Sequence, residues 1–67
     1  MKLVINGQEM IFDTELQNVD QLLKALDLQV KTVVVELNRH ILTRDIHGVT
    51  GLKNGDRLEI VHFVGGG

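Results

Sequence analysis

The groups in this chain with the clearest chemical potential lie at its end. Ile60-Val61-His62-Phe63-Val64 is an apolar, strand-like run that passes straight into Gly65-Gly66-Gly67. Three successive glycines cannot pack, cap a helix or hold a strand. They leave a tail of bare backbone ending in a carboxylate. Val64 to Gly67 reach roughly 14 Å when extended, at about 3.5 Å per residue. Such a tail fits a tunnel that admits only backbone. The chemistry is then that of the Gly67 carboxylate, delivered into another protein's active site. A frayed end or linker remnant is the competing reading. The join argues against it, because a linker ordinarily follows polar residues that close a domain. Here the glycines follow a β-rich run and would be carried on a rigid element.

The remaining side chains offer less. His40, His47 and His62 are spaced by seven and fifteen residues, which matches no metal-ligand motif, and there is no Cys to help. The carboxylates are scattered, with no acid–base pair in an identifiable cleft. No Ser-His-Asp pattern, phosphate-binding glycine loop or zinc motif is present. Gly48, Gly51 and Gly55 read as turn glycines, and Arg39 and Arg44 as solvated charge beside a loop.

The elements that must carry the tail follow from periodicity. Lys2-Leu3-Val4-Ile5 reads as a strand, Asn6-Gly7 as a two-residue hairpin turn, and Gln8-Glu9-Met10-Ile11-Phe12 as the returning strand. Residues 13–17 are a polar connection. Asn18 is the expected N-cap, with Gln21 three residues on completing a capping box. Val19, Leu22, Leu23 and Leu26 form one apolar stripe on a short helix, and Asp20, Gln21, Lys24 and Asp27 take the other side. Leu28 closes the helix end against the core. Thr32-Val33-Val34-Val35-Glu36-Leu37 reads as an inner strand covered on both faces or nearly so. Asn38-Arg39-His40 is a turn and Ile41-Leu42-Thr43 a short edge strand. Residues 44–49 are expected to be irregular, with Gly48 breaking them. Asn54-Gly55-Asp56 turns the chain into a final strand from Arg57 to Val64, placed in the sheet interior beside the first. In that strand Leu58, Ile60 and His62 alternate with Glu59, Val61 and Phe63. The helix covers one face only, so Val61 and Phe63, which share a face with Glu59, are expected on the open one. With Val64 they form the candidate docking surface.

The whole is an α+β domain: a mixed sheet of four to five strands with one helix packed across one face. The chain has 67 residues, 43% of them hydrophobic, which is enough for one small domain with an aliphatic core. The two aromatics are Phe12 and Phe63. Without Cys there is no disulfide and no thiol chemistry, which fits a reducing cytoplasm. No apolar run has the length of a membrane span and no signal peptide opens the chain, so no membrane association is expected. Net charge is -2, with 7 basic and 9 acidic residues. That argues against nucleic acid as the main partner, since no basic excess exists to neutralise phosphates.

The element order resembles the ubiquitin-like β-grasp fold. Leu3-Val4-Ile5-Asn6-Gly7, Asp20-Gln21-Leu22-Leu23, Val35-Glu36-Leu37-Asn38 and the ending from Glu59 to Gly67 together resemble the sulfur carrier proteins of thiamine thiazole synthesis, the ThiS family. The resemblance runs along essentially the whole chain. It implies residues 1–64 as a single β-grasp domain and residues 65–67 as a flexible tail. It also implies a protein co-substrate rather than an enzyme. An E1-like adenylating enzyme, using ATP and magnesium, would convert the Gly67 carboxylate to an acyl adenylate. A persulfide, supplied ultimately by a cysteine desulfurase, would displace the adenylate and leave a thiocarboxylate. Thiazole synthase would then take the sulfur. The chain itself would bind no cofactor and no metal. Gly65 and Gly66 would thread the partner active sites, and Val61, Phe63 and Val64 would dock.

This sequence of steps is physically coherent. A carboxylate is a poor electrophile, because its charge repels nucleophiles and its leaving group is oxide. Adenylation removes the charge and supplies a leaving group. Ordering the tail costs about 1–2 kcal/mol per glycine, which contacts of the folded body must offset. The resemblance leaves other functions open. One is the related carrier that forms the small subunit of molybdopterin synthase, which tends to have a larger insertion before the last strand. Another is a ubiquitin-like modifier joined to lysines through Gly67. A third is a binding module with a chance glycine tail.

Overall fold

The computed structural model describes residues 1–29 and 32–63. Asn6 and Gly7 both have positive φ, 52° and 79°, the backbone that a two-residue hairpin turn needs. They join β1 (Lys2–Ile5) to β2 (Gln8–Ile11) in an antiparallel pair that sets Ile5 opposite Gln8 and Lys2 opposite Ile11. Leu3 and Ile5 are buried while Lys2 and Val4 face the other way, as the period of two dictates.

Helix α1 (Val19–Ala25) starts where the sequence places it. The Gln21 N–H donates to Asn18 Oδ1 at 2.8 Å. The second half of the capping box differs from expectation. Gln21 Oε1 accepts from the Gln17 N–H at 2.8 Å, one residue before the cap. The backbone of Asn18 pairs with Gly51 in a single antiparallel bridge, and the Gln21 amide serves the neighbouring donor instead. At the other end Asp27 takes a left-handed φ of 61°. The Leu28 N–H then reaches Leu23 O at 2.7 Å and the Asp27 N–H reaches Lys24 O at 3.0 Å. This pair of bonds satisfies carbonyls that the helix end would leave bare. Val19, Leu22 and Leu23 are buried, and Leu26 and Leu28 pack against the core more shallowly.

Strand β3 (Thr32–Leu37) turns through Asn38 and Arg39, at φ 47° and 73°, into β4 (His40–Leu42). Residues 44–49 are not irregular. Arg44–Val49 is a 3-10 helix that packs against α1. Gly48 lies inside it rather than breaking it, where an added Cβ would come within 3.0 Å of Asp20 Oδ2. Close approach to α1, not a turn, explains the glycine there.

Strand β5 (Arg57–Phe63) completes a sheet of order β2-β1-β5-β3-β4. It runs parallel to β1, with Val4 opposite Arg57 and Ile5 opposite Leu58. It runs antiparallel to β3 over its whole length, from Leu37 opposite Leu58 to Thr32 opposite Phe63. The core fills the space between this mixed sheet and α1. Leu3, Ile5, Val35, Leu58 and Ile60 come from the sheet, and Val19, Leu22 and Leu23 from the helix. Leu16, in the connection read as polar, is also buried in it. Burying each such side chain contributes about 1.5–3 kcal/mol.

The expectation that β3 is covered on both faces is corrected. Val35 is fully buried but Val34 is 40% exposed, because one helix covers one face and, among the described residues, no element lies over the other. The expected domain limit at Val64 and the glycine tail, residues 65–67, lie outside the described residues.

Candidate functional site

Strand β5 presents its alternate residues to solvent. Leu58 and Ile60 point into the core, and Glu59, Val61 and Phe63 stand on the open face. His62 is exposed as well. Val61 is 56% and Phe63 59% exposed. Val34 is directly opposite Val61 across the β3–β5 pair, and Thr32 is opposite Phe63. Ile41, on β4 and opposite Glu36, is exposed too. Val34, Val61 and Phe63 thus form an apolar patch on the open sheet face, at the end of β5 from which the chain continues to Gly67, and Ile41 lies beside the Glu36–Glu59 pair. Solvated apolar side chains grouped in this way are what a docking surface would require. Of the six residues singled out from the sequence, Val61 and Phe63 are brought together here. Val64, Gly65, Gly66 and Gly67 lie outside the described residues.

Below the patch the open face becomes charged. Glu36 and Glu59 are opposite one another, and a cavity of about 370 Å³ is lined by both together with Asn38, Arg39, Arg57 and Gly7, among others. The patch and cavity share strands β3 and β5, so a partner covering one meets the other.

Three polar residues hold β5 in place, and the sequence marks each only as a turn residue. Asn38 donates its backbone N–H to Arg57 O at 2.8 Å and accepts the Arg57 N–H on Oδ1 at 3.0 Å. Its Nδ2 donates to Asp56 Oδ1 at 3.0 Å, and Asp56 Oδ2 accepts the Lys53 N–H at 2.9 Å. Asp56 is 4% exposed. Burial pushes its carboxyl up, but the Asn38 and Lys53 hydrogen bonds and the Lys53 charge outweigh it, and the group is held below its ordinary value. On the other side of the strand, Asn6 Oδ1 accepts the Ile60 N–H at 2.7 Å and Asn6 Nδ2 donates to Ile60 O at 3.0 Å. The Asn6 carboxamide thus continues the β1–β5 ladder one step past the end of β1. The only sequence signal for these roles is Asn beside a turn, which many unlatched turns share.

His47 falls in a stretch that reads as polar loop. It is 2% exposed, and its Nε2 has no hydrogen-bond partner. Among the described residues no group of three or more His, Cys, Asp or Glu side chains is placed to hold a metal. No helix among them is long and apolar enough to cross a membrane. The described residues of this face offer shape and contact area.

Comparison with known proteins bears on the fold and the family. The sequence profile of the ThiS family matches residues 3–67. The "Sulfur carrier protein ThiS" of Bacillus subtilis is 35% identical over 65 residues, which is 97% of this chain and 98% of that protein. A "Thiazole synthase" of Paramagnetospirillum magneticum is 42% identical over the full 67 residues. Here the chain spans only 20% of the relative's length, and the same share of a second thiazole synthase from Magnetococcus marinus. The crystal structure of the thiamine biosynthesis protein ThiS from Geobacter metallireducens superposes with a TM-score of 0.83 at 42% identity, covering all of both chains. The sheet order, the helix across one face and the match through the final glycines have one common explanation: this chain belongs to the ThiS family, with its ubiquitin-like β-grasp fold.

Proposed function

We propose that this chain is a sulfur carrier protein of thiamine biosynthesis whose working group is the C-terminal carboxyl of Gly67. The observation that carries the reading is the family match, which extends through Gly67 and is nearly end to end with a named sulfur carrier. An adenylating enzyme of the E1-like class, with ATP and magnesium, activates the carboxylate. A persulfide displaces the adenylate to give a thiocarboxylate, and a thiazole synthase takes the sulfur. The thiazole synthases that contain a segment similar to this chain support the last partner, since segments joined in one protein commonly act on one another. The chain acts as a co-substrate in this scheme. Its body docks through the Val34, Val61 and Phe63 patch, and Gly65 and Gly66 pass into the partner site without side chains in the way.

The test is an intact mass after incubation with ATP, the adenylating enzyme and a persulfide source, beside a matched chain lacking Gly67. Replacement of one oxygen by one sulfur in the full-length chain alone is the expected result. An unchanged mass, with the enzyme shown active on a known carrier, overturns the reading.

A further inference from the structure

We propose that Asn6 is a modification site: an Asn-Gly pair open to spontaneous deamidation and restrained by its latch onto Ile60. The chain holds two such pairs, Asn6-Gly7 and Asn54-Gly55. A following glycine favours the reaction, because no Cβ hinders the approach of its amide nitrogen to the asparagine Cγ. The two sites differ in what restrains them. At the second, the Gly55 N–H donates to Lys2 O at 2.7 Å, and Asn54 Oδ1 accepts the Lys2 N–H at 2.6 Å. There the attacking nitrogen is itself engaged. At the first, the Gly7 N–H takes part in none of the backbone hydrogen bonds between described residues outside helices and strands. A Cβ built on Gly7 would meet nothing within 4 Å, and Asn6 is exposed to water.

What holds Asn6 back is its carboxamide, tied at both atoms to Ile60. Attack turns Cγ from planar to tetrahedral and expels Nδ2, so the Nδ2 bond to Ile60 O must open, and a carboxamide pinned at both atoms is held against the rotation that brings Cγ to the Gly7 nitrogen. The reaction itself is balanced by solvent alone. The Gly7 nitrogen loses its proton to a solvent base and bonds to Asn6 Cγ. The Cγ–Nδ2 bond breaks, and Nδ2 leaves as ammonia with protons returned by water. One water molecule then opens the resulting succinimide at either carbonyl, giving aspartate or isoaspartate. Neither product can donate to Ile60 O. Isoaspartate also adds a methylene to a two-residue turn whose length sets the hairpin register. The β1–β5 ladder ends at Ile5 opposite Leu58. Among the described residues, the Asn6 side chain is therefore the last tie on that side of β5 before Val61 and Phe63. Modification loosens the end of the strand that presents the apolar patch.

The experiment incubates the full chain at mildly alkaline pH, folded and in urea, and maps aspartate and isoaspartate at positions 6 and 54. The folded chain is expected to convert at Asn6 faster than at Asn54. Conversion at Asn6 should be slower than in urea by about tenfold or more, as for a latch that is open no more than about a tenth of the time. An Asn6 that stays intact while Asn54 converts, or one that converts equally fast folded and unfolded, overturns the proposal. The modified chain is then separated by its added negative charge, and its amide hydrogen exchange is compared with that of the original. The Ile60 amide should exchange about tenfold faster while Leu22 and Leu23 in α1 keep their rates. No change at Ile60, or a rise throughout the chain, overturns the claim that the loosening is local to β5.

Discussion

Asp56 and His47 are the two buried polar side chains among the described residues, and they stand in opposite conditions. The Asp56 carboxylate accepts from Asn38 and from the Lys53 backbone, while His47 Nε2 accepts from and donates to nothing. Asp56→Asn replaces one acceptor oxygen by a donor that must face either Asn38 Nδ2 or the Lys53 N–H. It should cost about 1–3 kcal/mol at neutral pH, read from urea denaturation. The pH dependence follows from the direction of the shift. The folded carboxyl titrates below its unfolded value, so its contribution is complete above the unfolded value of about 3.9 and fades as pH falls through the folded one. Asp56→Asn should therefore narrow the stability difference between neutral and acid pH, and an unchanged difference would assign that loss to other groups. His47→Leu should behave unlike an ordinary core substitution. It removes an unsatisfied nitrogen at similar volume, so stability should hold or rise by up to about 1 kcal/mol. A loss of about 2 kcal/mol or more in thermal unfolding would mean that the imidazole is bonded after all. Neither residue stands out in the sequence. Each is defined by contacts from distant segments, and one histidine in a polar run looks the same whether buried or solvated.

Strand β5 carries both core residues and the proposed docking surface, and its alternation is legible in the sequence alone. A period of two puts Leu58 and Ile60 on one face and Val61 and Phe63 on the other, and one helix leaves one face open. The Asn6-Gly7 hairpin and the α1 stripe are legible for the same reason: turn chemistry and periodicity are local. Two other elements are not. The β-branched run of β3 reads alike whether its second face is covered or bare. The 3-10 helix at Arg44–Val49 exposes both of its aliphatic residues, Ile46 and Val49, and packs on α1 all the same, so its sequence does not announce it. The alternation of β5 separates stability from docking. Ile60→Ala empties core volume and should cost about 2–5 kcal/mol. Val61→Asp and Phe63→Asp alter solvated positions, so unfolding midpoints should shift by no more than about 0.5 kcal/mol equivalent. In the thiolation assay the same two substitutions should lower the conversion rate by about tenfold or more, as loss of a central apolar contact does. Full-rate conversion by both would move the docking surface away from this patch. The cavity beside Glu36 and Glu59 would then be the next surface to test.

At the scale of the whole molecule, the buried core runs from Leu3 to Ile60 and, among the described residues, uses none beyond it. In the proposed scheme the folded body and the reacting Gly67 carboxyl are separate parts of the chain. Binding should divide in the same way. Each tail glycine loses about 1–2 kcal/mol of conformational freedom on entering a partner site and has no side chain with which to recover it. The body, through the β3–β5 patch, must then supply most of the affinity. A chain lacking Gly66 and Gly67 should keep the unfolding midpoint of the full chain and remain unconverted. It should also still occupy the adenylating enzyme and compete with the full-length chain. Its inhibition constant should lie within about tenfold of the full chain's KM, since a factor of ten corresponds to about 1.4 kcal/mol and little net energy is removed. Steady-state competition kinetics measure this directly. A truncated chain that folds normally but does not compete would show that the tail carries the affinity, and the open sheet face would then serve something other than this enzyme.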